Sequence, residues 1–212
     1  MTDRLSAELL LAGYAQGIFP MAESRDNPQL HWFDPALRGI VPLDKFHISR
    51  SLAKVIRRGD YSISTNAAFR GVVEGCADRD ETWINGPLFA LYDQLHAAGF
   101  AHSLEVWQDG RLAGGIFGIT LGGAFFGESM FSRRPNASKV ALTYLVDRLR
   151  QTGFSLLDTQ YITPHLASMG AVEVTRNEYR ARLAQALPRE CDFTSGAIPA
   201  PQSLLHRMTQ TS

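Results

Sequence analysis

The sequence predicts an α+β fold, in which helices flank a mixed, largely antiparallel sheet and a small N-terminal lobe precedes it. Three observations lead to this prediction. Helical periodicity dominates the chain up to residue 99 and gives way to β-rich runs from residue 101. Asp109-Gly110 and Gly122-Gly123, which are dipeptides typical of tight hairpin turns, separate those runs. An amphipathic helix and an apolar strand then follow, which is the order of an α+β protein.

The composition is that of a soluble globular chain of 212 residues, of which 45% are hydrophobic. Lys+Arg and Asp+Glu both number 21, so no overall charge attracts the chain to nucleic acid or to a membrane. Cys76 and Cys191 lack the paired spacing of a disulfide framework or a zinc site, so we expect no metal and a reducing, cytoplasmic location. The apolar run over 9–11 is soon broken by Gly13, and we expect neither export nor membrane insertion.

Residues 1–45 are interpreted as the small N-terminal lobe. They begin with a predicted helix over 5–16, for which Ser6 is placed near the cap and Gly17 acts as the stop signal. The segment that follows, as far as Pro42, is rich in aromatic residues and punctuated by proline. We take the helix and this segment together as one lobe.

Residues 46–190 are interpreted as the main domain, and 191–212 as a C-terminal tail with little periodicity. The main domain begins with an amphipathic helix over 47–58, whose apolar residues recur at positions 48, 52, 55 and 56. Four basic residues repeat this spacing two positions later: Arg50, Lys54, Arg57 and Arg58. Two residues span about 200° of helix, so this basic face opposes the apolar one. The face either binds phosphates or is simply solvated.

The rest of the main domain alternates between helical and strand periods. A helix capped by Asn66 is predicted as far as residue 76, and further helices are predicted over 87–99, 137–152 and 175–187, the last of them beginning with a capping box formed by Thr175 and Glu178. Strands are predicted over 102–107, 112–120, 124–131 and 154–161. We expect the first three strands to form an antiparallel meander.

Asp158 and Gln160 are the first candidates for chemistry, because they lie in the apolar strand predicted over 154–161. Side chains alternate along a strand, so these two share a face. A buried aspartate is unfavourable unless it is paired or hydrogen-bonded, and Gln160 supplies both a donor and an acceptor that orient the pair toward a substrate proton. In the alternative interpretation, the strand ends near Asp158 and both groups are solvated.

Glu128 is the second candidate, because large apolar residues surround it in the run over 124–131. Burial there would raise the pKa of a carboxyl group unless a cation or an amine meets it. Strict alternation places Phe125 and Glu128 on opposite faces, and a β-bulge at Gly127 would bring both to one pocket. Alternatively, the run is an edge strand that carries Glu128 outward to solvent.

Trp83 and a second group of bases are candidates for contact with nucleic acid. Trp83 can stack on a base or, alternatively, pack in the core or at an interface. Arg133, Arg134 and Lys139 form a second acid-free patch, for which phosphate binding is the functional interpretation.

Eight short motifs follow one another in order along the chain, as parts of a pattern that extends from residue 9 to about residue 187. They are Gly17-Ile-Phe-Pro20, Trp32-Phe-Asp-Pro35, His47-Ile-Ser-Arg50, Thr82-Trp-Ile84, His102-Ser-Leu-Glu-Val-Trp107, Gly127-Glu-Ser-Met-Phe-Ser132, Asn136-Ala-Ser-Lys139 and Asp158-Thr-Gln160. Each motif alone has little specificity, but eight in sequence at consistent spacing are specific. Together they closely resemble the bacterial leucyl/phenylalanyl-tRNA–protein transferases.

The resemblance implies that leucine or phenylalanine is moved from leucyl-tRNA or phenylalanyl-tRNA to the α-amino group of proteins that begin with Arg or Lys, which marks them for degradation. It also implies a GNAT-type acyltransferase fold for the main domain. We expect no cofactor and no membrane partner, and a cytoplasmic monomer. The expected pocket offers no polar partner and selects by shape alone, so methionine should be accepted less well than leucine or phenylalanine.

The resemblance also assigns site residues. Asp158 and Gln160 would orient and deprotonate the incoming amine, and Glu128 would hold the aminoacyl amino group or the 3′ ribose. The residues that correspond to the side-chain pocket are Ile116, Phe125, Gly127, Leu142, Leu145, Leu149 and Leu157. Trp83 corresponds to a tryptophan that packs on the terminal adenosine, and the basic face of Arg50, Lys54, Arg57 and Arg58 is expected to hold the tRNA acceptor stem.

The sequence departs from the family pattern at three positions. Met21 stands where many members have a second tryptophan, and Leu145 and Leu149 stand where aromatic residues occur in some members. The first difference bears on stacking with the terminal adenosine, and the other two bear on the relative preference for leucine and phenylalanine.

Two other functions account for parts of the pattern. A CoA-dependent N-acetyltransferase needs a glycine-rich turn before the helix over 137–152, whereas the turn over 133–137 contains no glycine and includes Pro135. A non-catalytic RNA-binding module would explain the basic helix, but it gives no reason for polar residues within apolar strands. The transferase interpretation accounts for both features.

Overall fold

The computed structural model describes residues 5–209 of the chain. Its helices are α1 (Ala7–Ala15), α2 (Arg50–Arg58), α3 (Phe69–Ala77), α4 (Gly86–Ala97), α5 (Ala137–Gln151), α6 (Pro164–Ala167), α7 (Arg176–Ala186) and α8 (Pro201–Thr209). Its strands are β1 (Phe19–Ala22), β2 (Leu30–Phe33), β3 (Leu37–Ile40), β4 (Ser62–Thr65), β5 (Ala101–Gln108), β6 (Arg111–Leu121), β7 (Ala124–Ser132), β8 (Leu156–Gln160) and β9 (Val172–Thr175). The outermost parts of the predicted lobe and tail, residues 1–4 and 210–212, lie outside the described residues.

Seven strands of the described chain form one sheet, in the order β4-β5-β6-β7-β8-β3-β9. Neighbouring strands are antiparallel throughout, except that β7 and β8 are parallel. β1 and β2 pair separately as an antiparallel hairpin. The predicted α+β fold with a mixed, largely antiparallel sheet is therefore confirmed. The succession of meander, helix and parallel return strand agrees with the GNAT-type arrangement that the resemblance implied.

The two predicted hairpin turns form as expected. Gln108 pairs with Arg111, so Asp109 and Gly110 make a two-residue loop in which both residues have positive φ. This is the backbone conformation that glycine and aspartate tolerate best and that matches the twist of the flanking strands. The turns therefore fix the register of the meander.

Five short strands were not predicted, namely β1, β2, β3, β4 and β9, and one of them links the N-terminal lobe to the main sheet. β3 lies within the predicted lobe, yet it pairs with β8 on one side and with β9 on the other. All five strands are only four residues long, so they offer too few alternations to be recognised in sequence. As a result of the β3 pairing, a residue of the lobe, Arg38, lies in the main sheet on the strand next to β8.

Helices cover both faces of the sheet and enclose two hydrophobic cores. One core contains residues of α2, α5 and α8, and we call it the α5 core. The other contains residues of α1, α3, α4 and α7, and we call it the α1 core. Because side chains alternate along a strand, neighbouring residues of β7 and β8 enter different cores: Phe125 and Leu157 belong to the α5 core, and Phe126 and Leu156 to the α1 core.

The C-terminal segment is part of the fold rather than a tail without structure. Helix α8 packs against α2 and α5, and it buries Leu204, Leu205 and Met208. Arg207 of this helix donates two hydrogen bonds, of 2.9 and 2.6 Å, to the buried carboxylate of Asp147 in α5. The helix escaped prediction because it is short and buries only these three apolar residues along its length.

The parallel strands β7 and β8 separate after a short paired stretch. Their pairing consists of Ala124 with Leu156, Phe125 with Leu157, and Phe126 with Asp158. Beyond this last pair β7 runs on to Ser132, whereas β8 ends at Gln160. An opening between the two strands therefore begins beside Asp158, and the candidate catalytic residues lie at its narrow end.

Candidate active site

A β-bulge positions Glu128 at the opening. On β6, Phe117 pairs with Ser129 and Gly118 pairs with Gly127, which leaves Glu128 as the extra residue of β7. The bulge predicted at Gly127 is thus confirmed, and β7 is an inner strand rather than an edge. The expectation that the bulge would bring Phe125 to the same side as Glu128 is wrong, because Phe125 stays in the α5 core.

Two tyrosines of the α1 core hold the carboxylate of Glu128. The hydroxyl of Tyr14, in α1, donates to Oε1 at 2.7 Å, and the hydroxyl of Tyr92, in α4, donates to Oε2 at 2.9 Å. Both tyrosines are completely buried, and burial together with the charge of Glu128 raises their pKa values, so they remain protonated donors. Glu128 is therefore fixed in one orientation, and the residue as a whole is half-buried.

The environment of Glu128 raises its pKa to about 7. Burial is the main cause, because it penalises the charged form of the carboxyl group. The hydrogen bonds from Tyr14 and Tyr92 lower the pKa and oppose this effect, while the nearby charge of Asp158 raises it. A carboxyl group with such a pKa exchanges protons at neutral pH, which is the property required of a general base or acid.

Asp158 lies in a different and fully satisfied environment. Its oxygen Oδ1 accepts from Nε of Arg38 at 2.9 Å and from the backbone N–H of Gln160 at 2.8 Å. Its oxygen Oδ2 accepts from Nη2 of Arg38 at 2.6 Å and from the hydroxyl of Tyr179 at 2.8 Å. Asp158 is 0% exposed and Arg38 is 1% exposed, so this is a buried, bidentate ion pair. The alternative in which Asp158 is solvated is therefore wrong.

Gln160 joins the two carboxylates. Its backbone has a positive φ of 55°, a conformation that non-glycine residues seldom adopt, and the hydrogen bond from its N–H to Asp158 accompanies this turn at the end of β8. Its side-chain Nε2 lies 3.4 Å from Oε1 of Glu128. The structure thus brings together the three polar residues that the sequence singled out.

Sequence reasoning missed the four residues that hold these groups in place. Tyr14, Tyr92 and Tyr179 lie within the helices predicted over 5–16, 87–99 and 175–187. A hydrophobic periodicity in the sequence reflects only the apolar ring of a tyrosine. It therefore gives no indication that the hydroxyl group takes part in a site. Arg38 belongs to the unpredicted strand β3, and its partner Asp158 is 120 residues away in the chain.

The residues assigned to the side-chain pocket lie together on the opposite face of the sheet. Six of them belong to the α5 core, and none of these is more than 3% exposed: Ile116, Phe125, Leu142, Leu145, Leu149 and Leu157. Gly127 lies between this group and Glu128, and a Cβ atom added to it would come within 3.2 Å of the carbonyl oxygen of Asp158. The opening between β7 and β8 therefore separates the apolar group from the polar one.

The four bases predicted on α2 are all exposed, while Leu52 and Ile56 bury the opposite side of the helix. Among the described residues, Arg58 forms an exposed salt bridge with Asp60. Tyr61 connects this end of α2 with the second basic patch, since its hydroxyl donates to the carbonyl of Pro135 at 2.9 Å. The C-terminal end of α2 and the turn before α5 therefore form one basic surface.

The other predicted contacts with nucleic acid differ in their surroundings. Trp83 is half-buried and packs against the α1 core, which agrees with both interpretations of this residue. Arg133 is exposed and lies 3.6 Å from the carboxylate of Asp78, so the patch that is free of acids in sequence has an acidic neighbour in space. A cleft of about 340 Å³ adjoins the last residues of β7, and its lining includes Arg79 and His165.

Within residues 5–209, no three histidine, cysteine or acidic side chains are grouped as metal ligands would be. No helix of this part of the chain has the length and apolar character needed to cross a membrane. Both cysteines are free, and burial raises the pKa of the Cys76 thiol to about 12. A cysteine nucleophile at position 76 is therefore disfavoured.

Comparisons with known proteins show which family the chain resembles. A family model described as leucyl/phenylalanyl-tRNA protein transferase matches residues 40–184, and the model of its N-terminal domain matches residues 3–36. The chain is 66% identical to a leucyl/phenylalanyl-tRNA–protein transferase of Ruegeria sp. (strain TM1040), over 98% of this chain and 99% of the relative. It is 59% identical to the enzyme of the same name from Cereibacter sphaeroides (strain ATCC 17025), over 98% of both chains.

A solved structure shows similarity at the level of the fold. The crystal structure of FemX has a TM-score of 0.52 and 12% sequence identity to this chain, and the match covers 78% of this chain and 66% of FemX. Such a low identity supports the shared architecture alone. The family is established by the sequence matches, which extend over both the N-terminal lobe and the main domain. The chain therefore belongs to the leucyl/phenylalanyl-tRNA protein transferase family.

Proposed function

We propose that this protein transfers leucine or phenylalanine, and methionine less well, from aminoacyl-tRNA to the N-terminal α-amino group of proteins that begin with Arg or Lys. In this proposal it acts as a cytoplasmic monomer, and the product is marked for degradation. The observation that carries the proposal is the pair formed by Glu128 and Gln160 at the narrow end of the opening between β7 and β8. In a member of this family, such a pair is suited to managing the proton of an attacking amine.

The reaction forms one bond and breaks another. The α-amino nitrogen of the acceptor protein attacks the carbonyl carbon of the aminoacyl ester, and the bond from that carbon to the ribose oxygen breaks. One proton leaves the nitrogen and one proton joins the ribose oxygen. The ester is already activated, so the protein has only to align two substrates and move this proton, and no covalent intermediate is required.

The geometry favours a division of roles in which Glu128, rather than Asp158, takes the proton. Both oxygens of Asp158 already accept two hydrogen bonds each, and two of these four come from the guanidinium of Arg38, so neither oxygen is free to accept a proton from an incoming amine. The carboxyl group of Glu128 has a pKa of about 7 and faces Gln160. We therefore assign proton transfer to Glu128, orientation of the amine to Gln160, and positioning of Gln160 to Asp158.

The position of the apolar group supports the assignment of the side-chain pocket. An ester held in the opening between the strands has the α5 core on one side and Glu128 on the other. The leucine or phenylalanine side chain then enters among Ile116, Phe125 and the leucines of α5, which offer no polar partner. Charged side chains would lose their water without compensation, and isoleucine would be poor because branching at Cβ crowds the passage beside Gly127.

The basic surface supports the assignment of the tRNA contacts. Arg50, Lys54 and Arg57 are exposed and form no salt bridge within the described part of the chain. Their charges can therefore neutralise phosphates of the acceptor stem without reading its sequence. Trp83 is assigned to the terminal adenosine, as the resemblance implied.

The two alternative functions have less support. The turn between β7 and α5 uses its amide groups internally: the N–H of Ala137 donates to the carbonyl of Arg134, and the N–H of Ser138 donates to Oγ of Ser132. Pro135 has no N–H, so the turn offers few donors to the pyrophosphate of CoA. A module that only binds RNA would not require the arrangement of Glu128 and Gln160.

The test is a transfer assay with the purified protein and radiolabelled leucyl-tRNA. Peptides that begin with Arg or Lys should become labelled, and a peptide that begins with Ala but is otherwise identical should not. Acetyl-CoA with the same peptides tests the acetyltransferase alternative. Acetylation without aminoacyl transfer, or binding of tRNA without either reaction, would overturn the proposal.

A further inference from the structure

The segment between α7 and α8 places an aromatic residue, Phe193, beneath the proposed amino-acid pocket. This residue lies beyond residues 40–184, the range that the model of the main domain matches. It is only 2% exposed, and it belongs to the same buried core as the six apolar residues assigned to the pocket. The C-terminal segment therefore packs against the residues that form the proposed pocket.

The ring of Phe193 lies between aromatic and charged neighbours. It stacks on Phe125, with ring centroids 5.5 Å apart and an angle of 28° between the planes. It also stacks on His102, with centroids 4.7 Å apart and planes at 24°. The guanidinium of Arg148 lies 5.5 Å from the centroid of the Phe193 ring. Three elements of the main domain thus hold one side chain of the C-terminal segment.

The backbone around Phe193 is held as tightly as its ring. Nη1 of Arg148 donates to the carbonyl oxygens of Phe193 and Ser195, at 2.7 and 3.0 Å, and Nη2 donates to the carbonyl of Gly196 at 3.3 Å. Asp192 closes the turn from the other side, since its Oδ1 accepts the N–H of Thr194 at 2.8 Å. The position of the Phe193 ring is therefore determined by the fold and not by a flexible end of the chain.

The contact between Phe193 and Phe125 connects this segment with the reaction site. Phe125 precedes Gly127 and Glu128 on β7, and it is the aromatic residue of the proposed pocket. Arg148, which clamps the segment, lies on α5 directly before Leu149, another pocket residue. A close-packed aromatic ring allows its neighbour little movement, because interiors contain few voids larger than a water molecule. Phe193 thereby limits how far Phe125 can withdraw from the pocket.

We propose that Phe193 is a specificity-determining positioning residue, which sets the depth of the amino-acid pocket by supporting Phe125 from behind. This inference rests on the proposed function. It predicts that loss of the Phe193 ring deepens the pocket, so that the transfer of amino acids with large side chains increases relative to the transfer of leucine. The effect passes through Phe125, and Phe193 itself need not touch the aminoacyl group.

The test compares Phe193→Leu with the wild-type protein in competition between phenylalanyl-tRNA and leucyl-tRNA at equal concentration. We expect the ratio of phenylalanine to leucine transfer to rise about tenfold, since a change of one or two methylene groups in an apolar pocket discriminates by about that factor. Phe193→Met, which also removes the ring and replaces it with a smaller side chain, should change the ratio in the same direction. It serves as the test variant if Phe193→Leu does not fold.

Leu204→Ala is the matched control, because Leu204 is 0% exposed and lies in the same core and in the C-terminal segment. It should lower the melting temperature and leave the ratio unchanged. A ratio within twofold of wild type in a folded Phe193 variant would overturn this inference alone. An equal rise of the ratio in Leu204→Ala would also overturn it, because general loosening would then be the cause. A wild-type protein that transfers neither amino acid would overturn the proposed function as well.

Discussion

The guanidinium of Arg38 holds the carboxylate of Asp158 through hydrogen bonds of 2.9 and 2.6 Å, at a point where neither side chain is more than 1% exposed. Arg38 comes from the N-terminal lobe and Asp158 from the return strand of the main sheet. The pair therefore joins the two parts of the chain, and it fixes the strand end from which Gln160 projects.

Asp158→Asn should destabilise the protein by about 3 to 5 kcal/mol, because the charge of Arg38 would remain buried without a partner. The measurement is the free energy of unfolding from urea titration. Addition of Arg38→Met to this variant should recover part of the loss, since no unpaired charge would remain. If Asp158→Asn unfolds within about 1 kcal/mol of the wild type, the ion pair does not have the structural role assigned to it.

Glu128→Gln should lower the rate of transfer by roughly 10² to 10⁴, the range expected for loss of a positioned proton acceptor. In the wild type the rate should increase with pH through about 7, because only the ionised carboxylate accepts a proton. This increase of the rate with pH should be absent from Glu128→Gln. Single-turnover rates from pre-bound leucyl-tRNA, measured between pH 5.5 and about 8.5, test both points. If Glu128→Gln retained this increase of the rate with pH, a group other than Glu128 would be its cause.

Tyr92→Phe and Tyr14→Phe should each shift to higher pH the rise in transfer rate that depends on ionisation of Glu128. Each tyrosine hydroxyl donates to the carboxylate and so favours its charged form, and loss of the donor raises the pKa of Glu128 further. Tyr179→Phe is the control, because the hydroxyl of Tyr179 donates to Asp158 instead. An equal shift in all three variants, or a shift to lower pH, would contradict the role given to the two tyrosines.

Charge reversal of Arg50 and Lys54 together should weaken tRNA binding and flatten its dependence on salt. Each lost phosphate contact removes about one from the slope of log K against log salt concentration, so the double variant should lose about two. A matched reversal of Arg180 and Arg182, which are also exposed but lie on α7 across the sheet, should change the slope much less. Equal effects of the two pairs would indicate a general influence of net charge.

The sequence alone allowed prediction of the parts of the structure that leave a local pattern. The hairpin turns follow from Asp109-Gly110 and Gly122-Gly123, and the bulge follows from a glycine beside a carboxylate in an apolar strand. The partners of the site leave no such pattern. Arg38 is one charge in a four-residue strand, and Tyr14 and Tyr92 count as apolar in a helical period, so their contacts with Glu128 and Asp158 depend on long-range pairing that only the folded chain shows.

Gly127→Ala should reduce the transfer of both leucine and phenylalanine by at least about tenfold and leave tRNA affinity unchanged. An added Cβ would lie 3.2 Å from the carbonyl oxygen of Asp158 and 3.9 Å from Cδ1 of Leu157. Backbone at this distance must shift by a few tenths of an ångström, which narrows the passage between the polar residues and the apolar pocket. Gly86→Ala is the control, because a Cβ at Gly86 meets no atom within 4 Å. Transfer within twofold of wild type in Gly127→Ala would show that the aminoacyl group does not pass beside this residue.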